Sequence, residues 1–157
     1  MKPKIFVARA VFPEVLQRLA QHFDVESNQE DRIFTADELI AKMQGKVGLF
    51  STPSEPVSAA LFAANPQLKA VCNMAVGYNN IDVAAATQAG VQATNTPDVL
   101  NETTADFGWA LLMATARRVT ESEHWLRAGH WKQWSYDSFT GPDVHGSTLG
   151  IIGMGRI

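Results

Sequence analysis

Cysteine is almost missing from this sequence. Cys72 stands alone among 157 residues, so no internal disulfide can brace the fold. Its place in the apolar run LKAVCNM, Leu68 to Met74, predicts a small buried core residue rather than a reactive thiol. No apolar stretch approaches the roughly 20 residues that a membrane span requires. MKPKIFVARA is too short and too soon interrupted to be a secretory signal, so the cytoplasm is the expected location. Positive charge is not in excess either: 13 Lys and Arg against 16 Asp and Glu leave a formal net charge of -3. No basic cluster forms a track for a phosphate backbone, which argues against nucleic acid as a partner. His22, His124, His130 and His145 lack the spacing of a zinc site; His124 and His130, six apart, fall on different faces of a helix, and no metal is expected. The first apolar run, KIFVARAVF, is not followed by the acidic residues a receiver-like signalling domain needs. Internal repeats and low-complexity tracts are also absent.

What is present suffices for a real core: 46% of the residues are hydrophobic, enough for one full domain and part of another. Short β-branched or apolar runs alternate with segments whose apolar residues recur at helical spacing. KIFVAR, Lys4 to Arg9, reads as a first strand, and a helix opens at Pro13 with Leu16, Leu19 and Phe23 as its apolar face. A short strand near Asp24 to Ser27 follows. Thr35 and Glu38, three apart, make a capping box ahead of Leu39, Ile40 and Met43. KVGLFS, Lys46 to Ser51, is the next strand, Ser58 is placed to cap a helix through Ala64, and LKAVCNM reads as a strand covered on both faces. A helix ending at Gly90 and a fifth strand from Val91 to Asn95 complete the series. Five strands joined by helical crossovers imply a parallel sheet with helices on both sides.

Beyond Pro97 the rhythm changes. An apolar stretch too long for a strand predicts a helix from about Thr103 to Arg117, with Asn101 and Thr103 as candidate caps. Arg117 and Arg118 sit where cations offset the helix macrodipole. VTESEHWLRAGHWKQW gives a second helix, and a polar loop runs from Ser135 to Ser147. TLGIIGMGRI then places an apolar strand ahead of Gly153-Met154-Gly155-Arg156-Ile157, which matches the first five positions of G-x-G-x-x-G. The first glycine permits a tight turn and the second lets the backbone approach a pyrophosphate. The third glycine, the following helix and the ribose-reading residue fall outside these 157 residues. Glycine pairs after apolar strands also occur in ordinary turns.

AVGYNNID (Ala75 to Asp82), TPDVLNETTAD (Thr96 to Asp106), LLMATARRV, AGHWKQW and STLGIIGMGRI occur in the order in which similar segments occur in one family. Over most of its length the chain resembles the D-isomer-specific 2-hydroxyacid dehydrogenases, in particular their glyoxylate/hydroxypyruvate reductase branch. The resemblance implies an α/β fold: a flavodoxin-like parallel sheet that holds the substrate, followed by the truncated start of a Rossmann NAD(P)-binding domain. Residues 1–100 would then be the substrate-binding domain, without its C-terminal return segment. Residues 101–157 would be an interdomain helix, a dimerisation arm and the first strand of the NAD(P)-binding domain.

AVGYNNID follows a buried strand, at the edge where open parallel sheets place ligands. Gly77 lets the N–H groups of Val76 and Gly77 turn toward one point, which suits a carboxylate; it also suits an ordinary turn before a helix. The resemblance implies that Val76 and Gly77 hold the substrate's carboxylate. This sequence departs from the family's usual pattern at Asn79, where Asp is common, and at Ala75, where Ser or Thr is frequent. Thr104 is implied to lie beside the nicotinamide, although a capping or packing hydroxyl would read the same way. Gly153, Met154, Gly155, Arg156 and Ile157 are the candidate cofactor-binding residues for NAD(P)H.

The arm 119–147 carries Trp125, Trp131 and Trp134, and the family implies a homodimer clasped through it. The resemblance to the reductase branch implies that either Trp131 or Trp134 reaches a partner's substrate pocket, while Trp125 fits intrachain packing equally well. No residue of this chain matches the family's catalytic histidine, its carboxylate partner or its arginine, so none is assigned as catalytic. The implied reaction of the intact protein is NAD(P)H-dependent reduction of glyoxylate, hydroxypyruvate or 2-ketogluconate to the D-2-hydroxy acid, with the 157 residues alone inactive. The alternative is a flavodoxin-like module that binds a small carboxylate without turning it over.

Overall fold

The computed structural model describes residues 1–157, which divide into two compact units, Met1–Pro97 and Asp98–Ile157. The first unit holds a five-stranded parallel sheet. Its strands are β1 (Lys4–Val7), β2 (Asp24–Ser27), β3 (Gly48–Ser51), β4 (Ala70–Asn73) and β5 (Gln92–Thr94), in spatial order β2-β1-β3-β4-β5. Helices α1 (Pro13–Ala20), α2 (Ala36–Lys42), α3 (Ala59–Ala64) and α4 (Val83–Gln88) make the crossovers. This is the parallel sheet expected from the alternation of apolar runs, in the flavodoxin-like strand order that the resemblance implies. Ile5 pairs with Gly48, Gly48 with Ala70 and Ala70 with Gln92, so these residues share one face of the sheet and Phe6, Leu49, Val71 and Ala93 share the other.

The second of these faces carries the core. Phe6, Leu49 and Val71 pack with Leu39 and Met43 of the α2 turn, Leu61 and Phe62 of α3 and Ala86 of α4. Each of the Phe, Leu, Val and Met side chains withdrawn from water contributes about 1.5–3 kcal/mol. The start of α2 is fixed locally. The Thr35 hydroxyl accepts from the Glu38 amide at 3.3 Å and the Glu38 carboxylate accepts from the Thr35 amide at 2.9 Å, the capping box legible in the sequence.

The opposite face corrects the expectation that the strand in LKAVCNM is covered on both faces. Only α1 lies there, and its apolar Leu19, with Phe23 just beyond the helix, lines a shallow apolar cleft with Ile5, Gly48, Phe50, Ala70 and Cys72. Cys72 is therefore exposed rather than a core residue. Its neighbours Val71 and Asn73 point to the buried face and Cys72 to the other, as the two-residue period of a strand dictates. Ser58 occupies the N-cap of α3 without a side-chain hydrogen bond, so that expected cap is positional only.

The second unit contains α5 (Asn101–Ala116) and α6 (Val119–Arg127). Leu100, not Asn101 or Thr103, stands at the N-cap of α5. The Asn101 amide donates instead to Asp98 Oδ1 at 3.0 Å, and the Thr103 hydroxyl donates to the Leu100 carbonyl at 3.2 Å. Between the helices Arg118 adopts a left-handed φ of 51°, and its guanidinium grips Glu121 through two hydrogen bonds of 2.7 Å. The second helix ends at Arg127, before Gly129 with its φ of +75°, and does not continue through Trp134 as the sequence pattern suggested. No helix is long and apolar enough to cross a membrane.

Candidate functional site

Two strands of the first unit end on polar residues, and a third is followed by one, at the same edge. Ser51 closes β3 and Asn73 closes β4, and the two are paired in register. Asn95 lies one step beyond the Cys72–Thr94 pair. Each follows an apolar residue by two positions, so all three belong to the helix-covered face, at the carboxyl edge of the sheet. Parallel α/β sheets gather their ligands outside this edge.

These side chains are engaged with one another and with the loop that follows β4. The Ser51 hydroxyl donates to Asn73 Oδ1 at 3.0 Å, both residues being buried. Asn80 Nδ2 donates to the carbonyls of Thr52 and Glu55, each at 3.0 Å, joining the loop after β4 to the loop after β3. A parallel bridge between Val57 and Ile81 ties the same two loops, with Val57 N–H donating to the Asn80 carbonyl at 2.8 Å. Asp82 then caps α4, accepting from the Ala85 amide at 2.9 Å. Glu55 is fully buried: its Oε2 accepts from the Thr52 amide at 2.6 Å and the Thr52 hydroxyl at 2.8 Å. Its Oε1 has no hydrogen-bond partner, and Arg9 Nη1 stands 3.9 Å away. Arg9 also holds Asp31 through two hydrogen bonds, of 2.9 and 3.0 Å. That guanidinium, with the Ala10 amide, lowers the Asp31 carboxyl to a pKa of about 2.

On this frame sits the candidate acid-binding loop. The amides of Val76 and Gly77 face no protein acceptor. Tyr78, Ile81, Val83, Ala93, Thr94 and Asn95 line a cavity of about 240 Å³ beside it. Val76 and Gly77 thus lie together where the sequence places them, at the carboxyl end of β4. The polar network beneath was not singled out from the sequence; its signal is a strand-terminal Ser or Asn after an apolar run.

The candidate cofactor residues lie in the second unit. Thr104 is on the first turn of α5, exposed, with its hydroxyl unengaged by protein groups. Gly153 has a φ of +82°, the left-handed backbone that favours glycine. Gly155 donates to the Gly153 carbonyl at 3.0 Å, while the amides of Met154, Arg156 and Ile157 donate to no protein group. The Arg156 guanidinium pairs with Asp98, and Asn101 first, then Arg156, holds that carboxyl below the usual carboxylate range. The expected strand ahead of the glycines is not formed: residues 148–157 contain neither strand nor helix. A strand exists only through hydrogen bonds to a neighbour, and none of the 157 residues pairs with Leu149, Ile151 or Ile152, which stand exposed. In the arm, Trp125 packs within the unit, its ring 5.4 Å from that of Phe139, whereas Trp131 and Trp134 are exposed. No group of three or more His, Cys, Asp or Glu residues is arranged to hold a metal ion.

Residues 5–148 match the family model described as D-isomer specific 2-hydroxyacid dehydrogenase, catalytic domain. The chain belongs to this family. It is 45% identical over 161 residues to a glyoxylate reductase of Thermococcus kodakarensis, a match that spans 100% of this chain and 48% of the relative. A glyoxylate reductase of Aeropyrum pernix is 41% identical, with 99% and 48% covered. Among solved structures, an NAD-binding member of the family from a Polaromonas species superposes with a TM-score of 0.92 at 34% identity, covering 99% of this chain and 49% of that one. An NADPH-dependent glyoxylate/hydroxypyruvate reductase from Sinorhizobium meliloti, in complex with NADP and malonate, gives a TM-score of 0.76 at 34% identity, covering 99% and 47%. The chain spans about half the length of these relatives. The family is one of oxidoreductases.

Proposed function

We propose that this chain is the acid-binding side of an NAD(P)H-dependent reductase that converts a small 2-keto acid, glyoxylate or hydroxypyruvate, to the D-2-hydroxy acid. The observation that carries the proposal is the pair of unengaged amides at Val76 and Gly77, on a loop outside the carboxyl edge of a parallel sheet. Two N–H donors suit the two oxygens of a carboxylate, and hydrogen bonds to a charged group are worth about 1.5–3 kcal/mol each. The names of the relatives supply the reaction class.

The cofactor reading rests on the composition and backbone of the second unit. Gly153 takes a conformation that favours glycine, and a side chain at either Gly153 or Gly155 would project into open space that a diphosphate could otherwise occupy. Gly153 to Ile157 would hold that group and Thr104 would stand beside the nicotinamide, which supplies the hydride when bound. The residues of this chain bind and orient the acid; the proton-donating group and the oxyanion-stabilising cation belong to the rest of the enzyme. Residues 1–100 act as substrate domain, 101–157 begin the cofactor domain, and the exposed Trp131 and Trp134 of the arm 119–147 meet a second subunit.

The test is turnover by the full-length protein, followed by nicotinamide absorbance, with glyoxylate and with its neutral amide. Rapid reduction of the acid and loss of at least ~100-fold in kcat/KM with the amide are expected, since about 3 kcal/mol of charge-assisted binding disappears. Equal turnover of the two would refute the carboxylate role of Val76 and Gly77. The isolated 157 residues should show no turnover.

A further inference from the structure

We propose that Asn95 aims the acid-binding amide of Gly77, so that it is a positioning residue for the carboxylate subsite, with Asn73 holding the next peptide unit of the same turn; the inference rests on the function proposed above. Residues 75–78 are linked by three successive peptide units, all trans, and each carbonyl is held from the protein side. The Ala75 carbonyl accepts from the Thr96 amide at 2.9 Å. The Val76 carbonyl accepts from Asn95 Nδ2 at 2.8 Å. The Gly77 carbonyl accepts from Asn73 Nδ2 at 2.9 Å. In a planar trans peptide the N–H points opposite to the C=O. Fixing these three carbonyls therefore fixes the N–H directions of Val76, Gly77 and Tyr78, each turned away from its tether. None of the three donates to a protein group.

Beyond these bonds only the Ile81 amide, donating to the Tyr78 carbonyl at 3.0 Å, ties the turn, and it leaves the peptide units before Tyr78 unrestrained. A Cβ added at Gly77 would meet no atom within 4 Å, so steric packing does not choose the peptide orientation there. A glycine peptide without restraint samples several orientations, and binding an anion would then cost ordering entropy. Asn is the residue type that removes this freedom. A carbonyl oxygen only accepts, so the atom facing Val76 must be the amide nitrogen of Asn95; an ionised Asp there would oppose one acceptor with another. Asn73 is oriented from behind, because the Ser51 hydroxyl donates to its oxygen and leaves its nitrogen for Gly77.

Steady-state kinetics on the full-length enzyme decide the matter, with Asn95→Ala and the near-isosteric Asn95→Asp measured beside the wild type and their melting temperatures recorded. Each variant should raise KM for glyoxylate about tenfold or more, while kcat stays within about threefold and KM for the coenzyme is unchanged. In Asn95→Asp the rise should shrink as pH falls and the protonated carboxyl regains a donor, a recovery that a purely structural role would not produce. If Asn95→Ala does not fold, Asn95→Asp carries the test on the same limits. A KM for glyoxylate within about twofold of wild type in a folded variant overturns the positioning role and leaves the functional reading standing. Failure of the wild type to reduce any 2-keto acid overturns both.

Discussion

Replacing Asn73 with alanine should cost the first unit far more than the loss of one polar side chain on a surface. Asn73 is only 2% exposed and Ser51 is fully buried, so the substitution strands the Ser51 hydroxyl without an acceptor. A buried hydroxyl left unpaired costs about 1–3 kcal/mol. The Gly77 carbonyl also loses its donor but lies on an exposed loop where water can replace it, and Asn80 keeps its bonds to Thr52 and Glu55. The expected total is about 2 kcal/mol, a roughly 30-fold rise in the open population. Ser51→Ala is milder, about 1 kcal/mol, because Asn73 Oδ1 still has Asn80 Nδ2 at 3.4 Å. The double variant should therefore fall short of additivity by about 1 kcal/mol, since the stranded hydroxyl no longer exists. Native-state hydrogen exchange at the amides of β3 and β4 measures this directly. All four tryptophans lie in the second unit, so an unchanged native emission spectrum shows that unit to be intact. Protection within about threefold of wild type in Asn73→Ala, or strict additivity, would refute the reasoning.

Acid stability offers a second handle. Asp31 is held down to a pKa of about 2, by Arg9 first and the Ala10 amide next, against an ordinary value of 3.8. A depressed carboxyl stabilises the folded state above its ordinary value, and that contribution drains away as pH falls from 3.8 toward about 2. Asp31→Asn should flatten the acid limb of a circular-dichroism unfolding profile in this window; an unchanged slope would contradict it. In the second unit two glycines should respond with opposite signs. A methyl at Gly141 collides with the backbone carbonyl of Ala116, and Gly141→Ala should cost about 1–3 kcal/mol. Gly108, inside α5 with open space around it, should gain about 0.5–1 kcal/mol on conversion to alanine. Thermal melts followed by tryptophan fluorescence read both.

Which parts of this molecule were legible beforehand follows from how far apart the deciding residues lie. The capping box of Thr35 and Glu38 is local, and four residues of sequence contain all of it. The parallel sheet was legible because each buried strand is apolar over its own length and each crossover shows helical spacing. Cys72 was not, since a continuous apolar run hides which of its two faces is covered, and the covering helices come from elsewhere in the chain. The strand expected at Leu149 to Ile152 fails for a related reason: hydrophobicity makes a segment suited to a sheet, but pairing must come from another segment. The network under the candidate acid-binding loop depends on registers, Ser51 against Asn73 and Asn95 one step past Thr94, that no short window contains.

That dependence bears on how the site could arise and be altered. In the proposed subsite Val76 and Gly77 contribute backbone atoms only, so their own side chains say little about it. The information that turns the Gly77 amide outward is stored in Asn95, one residue past the end of β5, and it survives only while β4 and β5 keep their register. A one-residue slip would move Asn95 to the other face of the sheet and free the Val76 carbonyl. The geometry of the proposed acid site is thus a property of the sheet's alignment, and if the proposal holds, substitutions that loosen the β4–β5 pairing should weaken acid binding without touching the loop.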